Sequence, residues 1–371
     1  MKVAGGSISF AQRAAGWTFA LALASCASTP IDPVVVLGVT PQDPQRFESC
    51  SDPVARESYE AALERLQAGD EAAALPLLED VVRRCPENVL AMGYYQDAAM
   101  HLGGDAERAM RSHYEAQSVE ASSPVPAFAK ARLLASNFAR KGAIESILAR
   151  HPDFAYAWLA QGRLLRGIGR LQDAVVSFQN AIARHPRLLA AHLEMAECLA
   201  ESGKEREAQG AYENYLRAAP NDRATVRAYV QLALYRNDKP EAARPWLERL
   251  LAEDPLDESV RMDLAACDWR SNRLREALDG YLQALERRPE NARALLNIGY
   301  LHFDAFARTE DSRRVHWPKA RAAFVLFLQT VRPADGYDYF ERSFAVPFRL
   351  KQIDEMLGPA VTAQPTLADL R

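Results

Sequence analysis

No apolar run in this sequence is long enough to cross a bilayer as a mature helix, and none alternates strictly enough to argue for a sheet. Charge of one sign is not in excess: 45 lysines and arginines stand against 49 aspartates and glutamates, and no basic stripe breaks the mild acidity. That balance suits neither DNA, RNA nor an anionic lipid surface as a partner, so no nucleic acid is expected. Catalytic signatures are missing too. The seven histidines form no HExxH and no Cys/His cluster with ligand spacing, and there is no P-loop, no GxGxxG after a strand and no GxSxG elbow. Neither an enzyme nor a bound cofactor is expected. With only five cysteines in 371 residues and no CxxC among them, a thiol-based redox site is not expected either.

What is present is a period. Pro186, Pro220, Pro255 and Pro289 recur at intervals of 34, 35 and 34 residues, and each has an alanine twelve residues upstream, at Ala174, Ala208, Ala243 and Ala277. A fixed period of this length implies a stack of two-helix units and places function on a repeating surface rather than in one pocket. In the unit beginning at Ala155, Trp158 and Gly162 share a helical face, and Gly169 supplies the left-handed residue that ends the first helix. Ala174, Phe178 and Ala181 face back from the second helix, and Pro186 stops it. Units beginning at Leu189, Ala224 and Glu258 repeat the pattern, with Asn237 and Asn272 standing in for the turn glycine in the last two.

This pattern resembles the tetratricopeptide repeat. The resemblance implies an all-α, right-handed superhelical solenoid of antiparallel helix pairs, with about eight repeats over residues 55–333 and the clearest register over 155–291. Residues 124–153 form a short, degenerate copy, and the last repeat carries a polar insertion around Asp304–Trp317. Within residues 334–371, Leu350–Leu357 reads as an amphipathic helix that caps the apolar end.

The N-terminus suggests a location. Lys2 and Arg13 precede a short apolar run ending in Leu23-Ala24-Ser25-Cys26, which resembles the lipobox of bacterial lipoproteins. The resemblance implies that residues 1–25 are removed and that Cys26 carries the lipid anchor, with residues 26–54 as a proline-rich tether. Removal takes away two basic and no acidic residue, moving the formal charge from −4 to −6. Ala27, in place of an aspartate, points to the outer membrane facing the periplasm. In such an oxidising compartment a disulfide between Cys50 and Cys85 is compatible with their placement at one end of a helical hairpin. Cys198 and Cys267 occupy the same slot of two repeats and read as small packing residues, and His192 reads as packing in an aromatic slot.

In the resembled family the second, fifth, sixth, ninth, twelfth and thirteenth positions of each unit line a concave groove that binds peptides or partner helices. Those slots include Tyr156, Arg163, Arg166, Tyr229, Tyr235, Arg236, Trp269, Arg270, Asn297, Tyr300 and Phe303. Tyr235, Trp269 and Phe303 fall in one row, the composition of a protein-binding hot spot; the other reading is that they pack against neighbouring repeats or the cap. The expected function is a membrane-anchored, non-catalytic scaffold that holds a protein partner of the cell envelope. A solute- or glycan-binding lipoprotein, its aromatics stacking on sugar rings, is the alternative.

Overall fold

The computed structural model describes residues 50–117, 123–331, 341–359 and 364–371. Cys26 and most of the expected tether lie outside the described residues. The chain divides into two compact units, residues 1–226 and 227–371.

The first unit holds five helix pairs: α1 (Pro53–Gln67) with α2 (Glu71–Arg84), α3 (Val89–Leu102) with α4 (Gly104–Ala116), α5 (Val125–Arg132) with α6 (Asn137–Arg150), α7 (Ala155–Gly167) with α8 (Leu171–Arg184), and α9 (Leu189–Glu201) with α10 (Glu205–Ala218). Helix α11 (Arg223–Gln231) spans the boundary. The second unit continues with α12 (Pro240–Glu253), pairs α13 (Glu258–Arg270) with α14 (Leu274–Arg287) and α15 (Ala292–Tyr300) with α16 (Glu310–Thr330), and ends in α17 (Val346–Leu357) and a 3-10 turn, Leu367–Leu370. No strand occurs among the described residues. Asp52, Asp70, Asn88, Ser136, Asp257 and Asn291 start their helices by accepting backbone N–H bonds.

The repeat positions act as their residue types require. Gly162 faces the ring of Phe178 and Gly299 that of Phe324 so closely that a Cβ on either glycine would strike the ring. Ala174, Ala208, Ala243 and Ala277 are fully buried at the same point of successive second helices. A further regularity concerns the fourth slot. Trp158 donates its indole N–H to the Pro152 carbonyl at 2.8 Å, His192 pairs with the Pro186 carbonyl at 2.8 Å, and Arg261 donates to the Pro255 carbonyl at 2.7 Å. In these three repeats the slot holds an N–H donor that reaches the carbonyl of the closing proline, and His192 makes this bond in addition to packing.

The single 35-residue interval has a structural cause. Leu232–Arg236 is a π-turn, with the Asn237 N–H bonded to the Leu232 carbonyl five residues back, and it adds one residue inside the first helix. The left-handed residue of that repeat is therefore Asp238 (φ 52°) and not Asn237, whereas Asn272 (φ 59°) takes the glycine role as expected. The short copy at 124–153 is a true pair whose first helix has eight residues. The insertion near Asp304–Trp317 forms no long loop: α16 runs for 21 residues where α14 has 14, so most of the extra chain is helical.

Cys50 and Cys85 are joined by a disulfide with Cα atoms 5.7 Å apart, closing α1 and α2 at their shared end. Cys198 and Cys267 are fully buried thiols, and burial, the leading cause for both, raises their pKa, that of Cys198 to about 12. Both are packing residues.

Candidate functional site

First helices of successive pairs present their inner-face slots to one another, and many of those slots bond across the repeat. In the first unit Arg132, on α5, bonds Asp97 of α3 at 2.8 Å and also reaches Gln96. Arg163, on α7, donates to Glu194 of α9 at 2.5 Å, and Arg166 holds Glu194, Glu197 and Glu201 together. Burial lowers the Arg163 pKa against the pull of Glu194. Burial also opposes the Arg166 charge, but Glu201 and Glu197 outweigh it and raise its pKa. Glu197 and Asp97 are raised by burial, which exceeds the effect of their arginine partners. Tyr156 sits edge-on to His185 and beside Phe154. Arg163 and Arg166, read from the sequence as partner contacts, are thus committed to the neighbouring repeat: on a shared inner face, the nearest carboxylate is the next helix's own.

The second unit shows the same economy. Tyr235 donates its hydroxyl to Asp263 at 2.7 Å, accepts from Arg293, and has the guanidinium groups of Arg270 (5.6 Å) and Arg293 (5.8 Å) near its ring. Burial and Asp263 raise the Tyr235 pKa well above the usual phenol value, so it stays a donor. Arg270 also pairs with Asp238, an aspartate left mostly in solvent.

Three sequence expectations are corrected here. Tyr229 is 2% exposed, edge-on to Trp246, and belongs to the core. The π-turn explains this: α11 starts at Arg223, so before the extra residue every slot counted from Ala224 is one too far, and Arg227 and Gln231 occupy the inner-face positions. Arg227 accordingly reaches Asp257 and Gln231 reaches Asp263. Tyr300 and Phe303 are covered by the chain itself. Tyr300 donates to Glu341 and lies 4.7 Å beneath Arg349 of α17, while Phe303 stacks on Trp317 at 5.0 Å with Arg349 on it at 5.6 Å. For these two, packing against the insertion and the cap is the outcome, because the longer α16 carries Trp317 into reach of the Phe303 ring and carbonyl.

Four sequence-selected residues of the second unit remain less committed. Arg236 is exposed, Arg270 is shared between the Tyr235 ring and solvent-facing Asp238, Trp269 is half-buried, and Asn297 is half-buried beside the Tyr281 hydroxyl. Trp269 rests one side on the core cluster of this unit. The arginine bonding across repeats was not foreseen from sequence, although glutamates at slots of the following repeat, about 31 residues on from Arg163 and Arg166, are its visible signal. Among the described residues no group of three or more His, Cys, Asp or Glu side chains is placed to hold a metal, and no helix is long and apolar enough to cross a membrane.

Comparison with known proteins agrees with the register. Tetratricopeptide repeat families match residues 165–231, and residues 133–187 and 262–311. Among solved structures the chain is similar to YrrB, described as a TPR protein with an unusual peptide-binding site, at 17% identity and TM-score 0.42, covering 57% of this chain and 99% of that one. It is also similar to PilW, a type IV pilus biogenesis factor (16% identity, TM-score 0.38, covering 66% and 98%). A third is a tetratricopeptide repeat protein from Parabacteroides merdae (12% identity, TM-score 0.31, covering 81% and 99%). No curated protein matches the sequence. The family matches overlap the helix pairs built on the Ala–Pro ladder, and the chain carries tetratricopeptide repeats over residues 133–231 and 262–311.

Proposed function

We propose that the chain is a lipid-anchored, non-catalytic scaffold of a bacterial cell envelope that holds a peptide or helix of a protein partner against the inner face of its second unit. The reading rests on Trp269, a half-buried indole in a groove slot of a matched repeat, followed in the chain by exposed Arg270, with exposed Arg236 and half-buried Asn297 in groove slots of the neighbouring repeats. Anchoring rests on the lipobox-like Leu23-Ala24-Ser25-Cys26, and the outer membrane on Ala27. The helical course of the insertion favours no glycan-binding loop, so the solute-binding alternative gains nothing from it.

A photoreactive residue at Trp269, expressed in native envelopes, tests the partner. A crosslinked protein is expected from Trp269 and not from a control at Leu256, a turn residue 72% exposed. Equal yields from both positions would sink the assignment of this face. Cys26→Ser should release the protein from the membrane fraction; continued sedimentation with membranes would refute the anchor.

A further inference from the structure

Three turns of the first unit hold large apolar side chains out in solvent. Leu102 ends α3 and is 42% exposed, Phe138 is the second residue of α6 and is 88% exposed, and Ile168 follows α7 and is 62% exposed. Each stands at the turn inside a different pair, in the consecutive pairs α3–α4, α5–α6 and α7–α8. In a stack of helix pairs such turns share one edge. Bonds between neighbouring turns agree with this. His101, beside Leu102, reaches Glu71 at the start of α2 at 2.8 Å, and Lys204, just before α10, reaches Gln172 at the start of α8 at 2.7 Å. We propose that this edge docks on a lipid bilayer, with Leu102, Phe138 and Ile168 dipping into its interfacial region.

The arrangement suits a lipid surface for two local reasons. The apolar tips come singly, one per repeat, beside small turn residues such as Gly103, Ala135 and Gly169. Separate projecting side chains enter a fluid apolar layer without the shape match that a protein interface requires. The ionic groups of the edge are also matched in sign: His101 with Glu71, Lys141 with Glu145, and Arg170 with Asp173. Contact is therefore apolar rather than electrostatic, and it needs no anionic lipid.

The third reason is reach, and it builds on the reading of Cys26 as the lipid anchor. The chain enters the first unit at the opposite edge, where Cys50 joins Cys85 at the end of α2. That edge presents exposed Arg83, Arg150, Asp153 and Arg187. Between Cys26 and Cys50 lie 23 residues, which span up to about 75 Å when extended. A helix of 14 residues such as α6 is only about 21 Å long, so the tether can pass the pair and leave the apolar edge facing the bilayer. Tethering raises the local concentration of the edge at the surface, so that three shallow contacts suffice to hold it there.

Nitroxide labels on Leu102→Cys, Phe138→Cys and Ile168→Cys, in the full lipidated chain on phosphatidylcholine vesicles, test the docking. Cys198 and Cys267 are fully buried, so the introduced thiol is the one that reacts. Relaxation by oxygen should exceed relaxation by a water-soluble nickel chelate at all three positions. Asp153→Cys, on the opposite edge, should show the reverse. Labels at the three turns as open to the chelate as the one at 153, labels shielded from both reagents, or a lipid-embedded label at 153 would each overturn the proposal. A second measurement is independent of the anchor. The Cys26→Ser chain should bind the same vesicles weakly and without dependence on salt. Adding Phe138→Ser should weaken that binding roughly tenfold, the effect of half-burying one phenylalanine. Binding indifferent to Phe138 would also overturn the docking. Flotation of the lipidated chain beside Cys26→Ser reports the anchor separately: equal flotation with Phe138-dependent binding retained strikes the anchor reading and leaves the docking edge standing.

Discussion

Gly162→Ala, a change of one methyl group, should destabilise the first unit. The new Cβ meets the ring of Phe178, which is fully buried under α7 and has no free side to retreat into. Overpacking of this kind costs about 1–3 kcal/mol. Against it stands the helical gain of replacing glycine by alanine, about 1 kcal/mol. The net expectation is a loss of up to about 2 kcal/mol. Gly210→Ala supplies the control within the same unit. Gly210 lies inside α10, and a Cβ there has nothing within 4 Å, so only the propensity term applies and stability should rise by up to about 1 kcal/mol. The two identical substitutions should therefore move in opposite directions. Urea denaturation followed by circular dichroism measures both, with hydrogen exchange in α7 and α8 localising the effect should the array unfold in stages. Phe178→Leu in the Gly162→Ala background should recover part of the loss, a coupling visible in a double-mutant cycle. Equal effects of Gly162→Ala and Gly210→Ala would show that ring contact does not set the glycine requirement.

Three further outcomes are expected. Replacing Cys50 and Cys85 by serine removes a cross-link spanning 35 residues and should lower stability by up to about 4 kcal/mol, seen as a reduced urea midpoint; an unchanged midpoint would remove the disulfide from the account. Trp158→Phe keeps an aromatic ring but loses the N–H that reaches the Pro152 carbonyl, and should cost at least about 1 kcal/mol in the same assay. Asp222 opens α11 by accepting from Thr225, Tyr215 and Ala224, which outweigh burial and lower its pKa below 3.8. Its stabilising effect is present above 3.8 and lost as pH falls through the lowered value, so Asp222→Asn should flatten that part of the acid melting profile.

The Ala–Pro ladder determined the fold class because each of its residues answers a local requirement: a stop, a left-handed turn, a close approach of two helices. Such requirements are met within one repeat and are visible wherever the residue types recur. The Cys50–Cys85 pairing was compatible with the same local geometry, and the structure forms it. What the chain composition did not reveal was register and commitment. One extra residue, absorbed as a π-turn at Leu232–Arg236, moved Tyr229 from the expected groove into the core. An insertion that read only as polar became two further turns of α16 and brought Trp317 onto Phe303. Arg163 and Arg166 carried the right charge for a partner, yet their partners proved to be glutamates one repeat onward. Local sequence specifies which helices form and where they end, since backbone hydrogen bonding and turn chemistry span only a few residues. Which side chains stay open to a partner is decided by neighbours some thirty residues away, and only the packed structure brings those neighbours together.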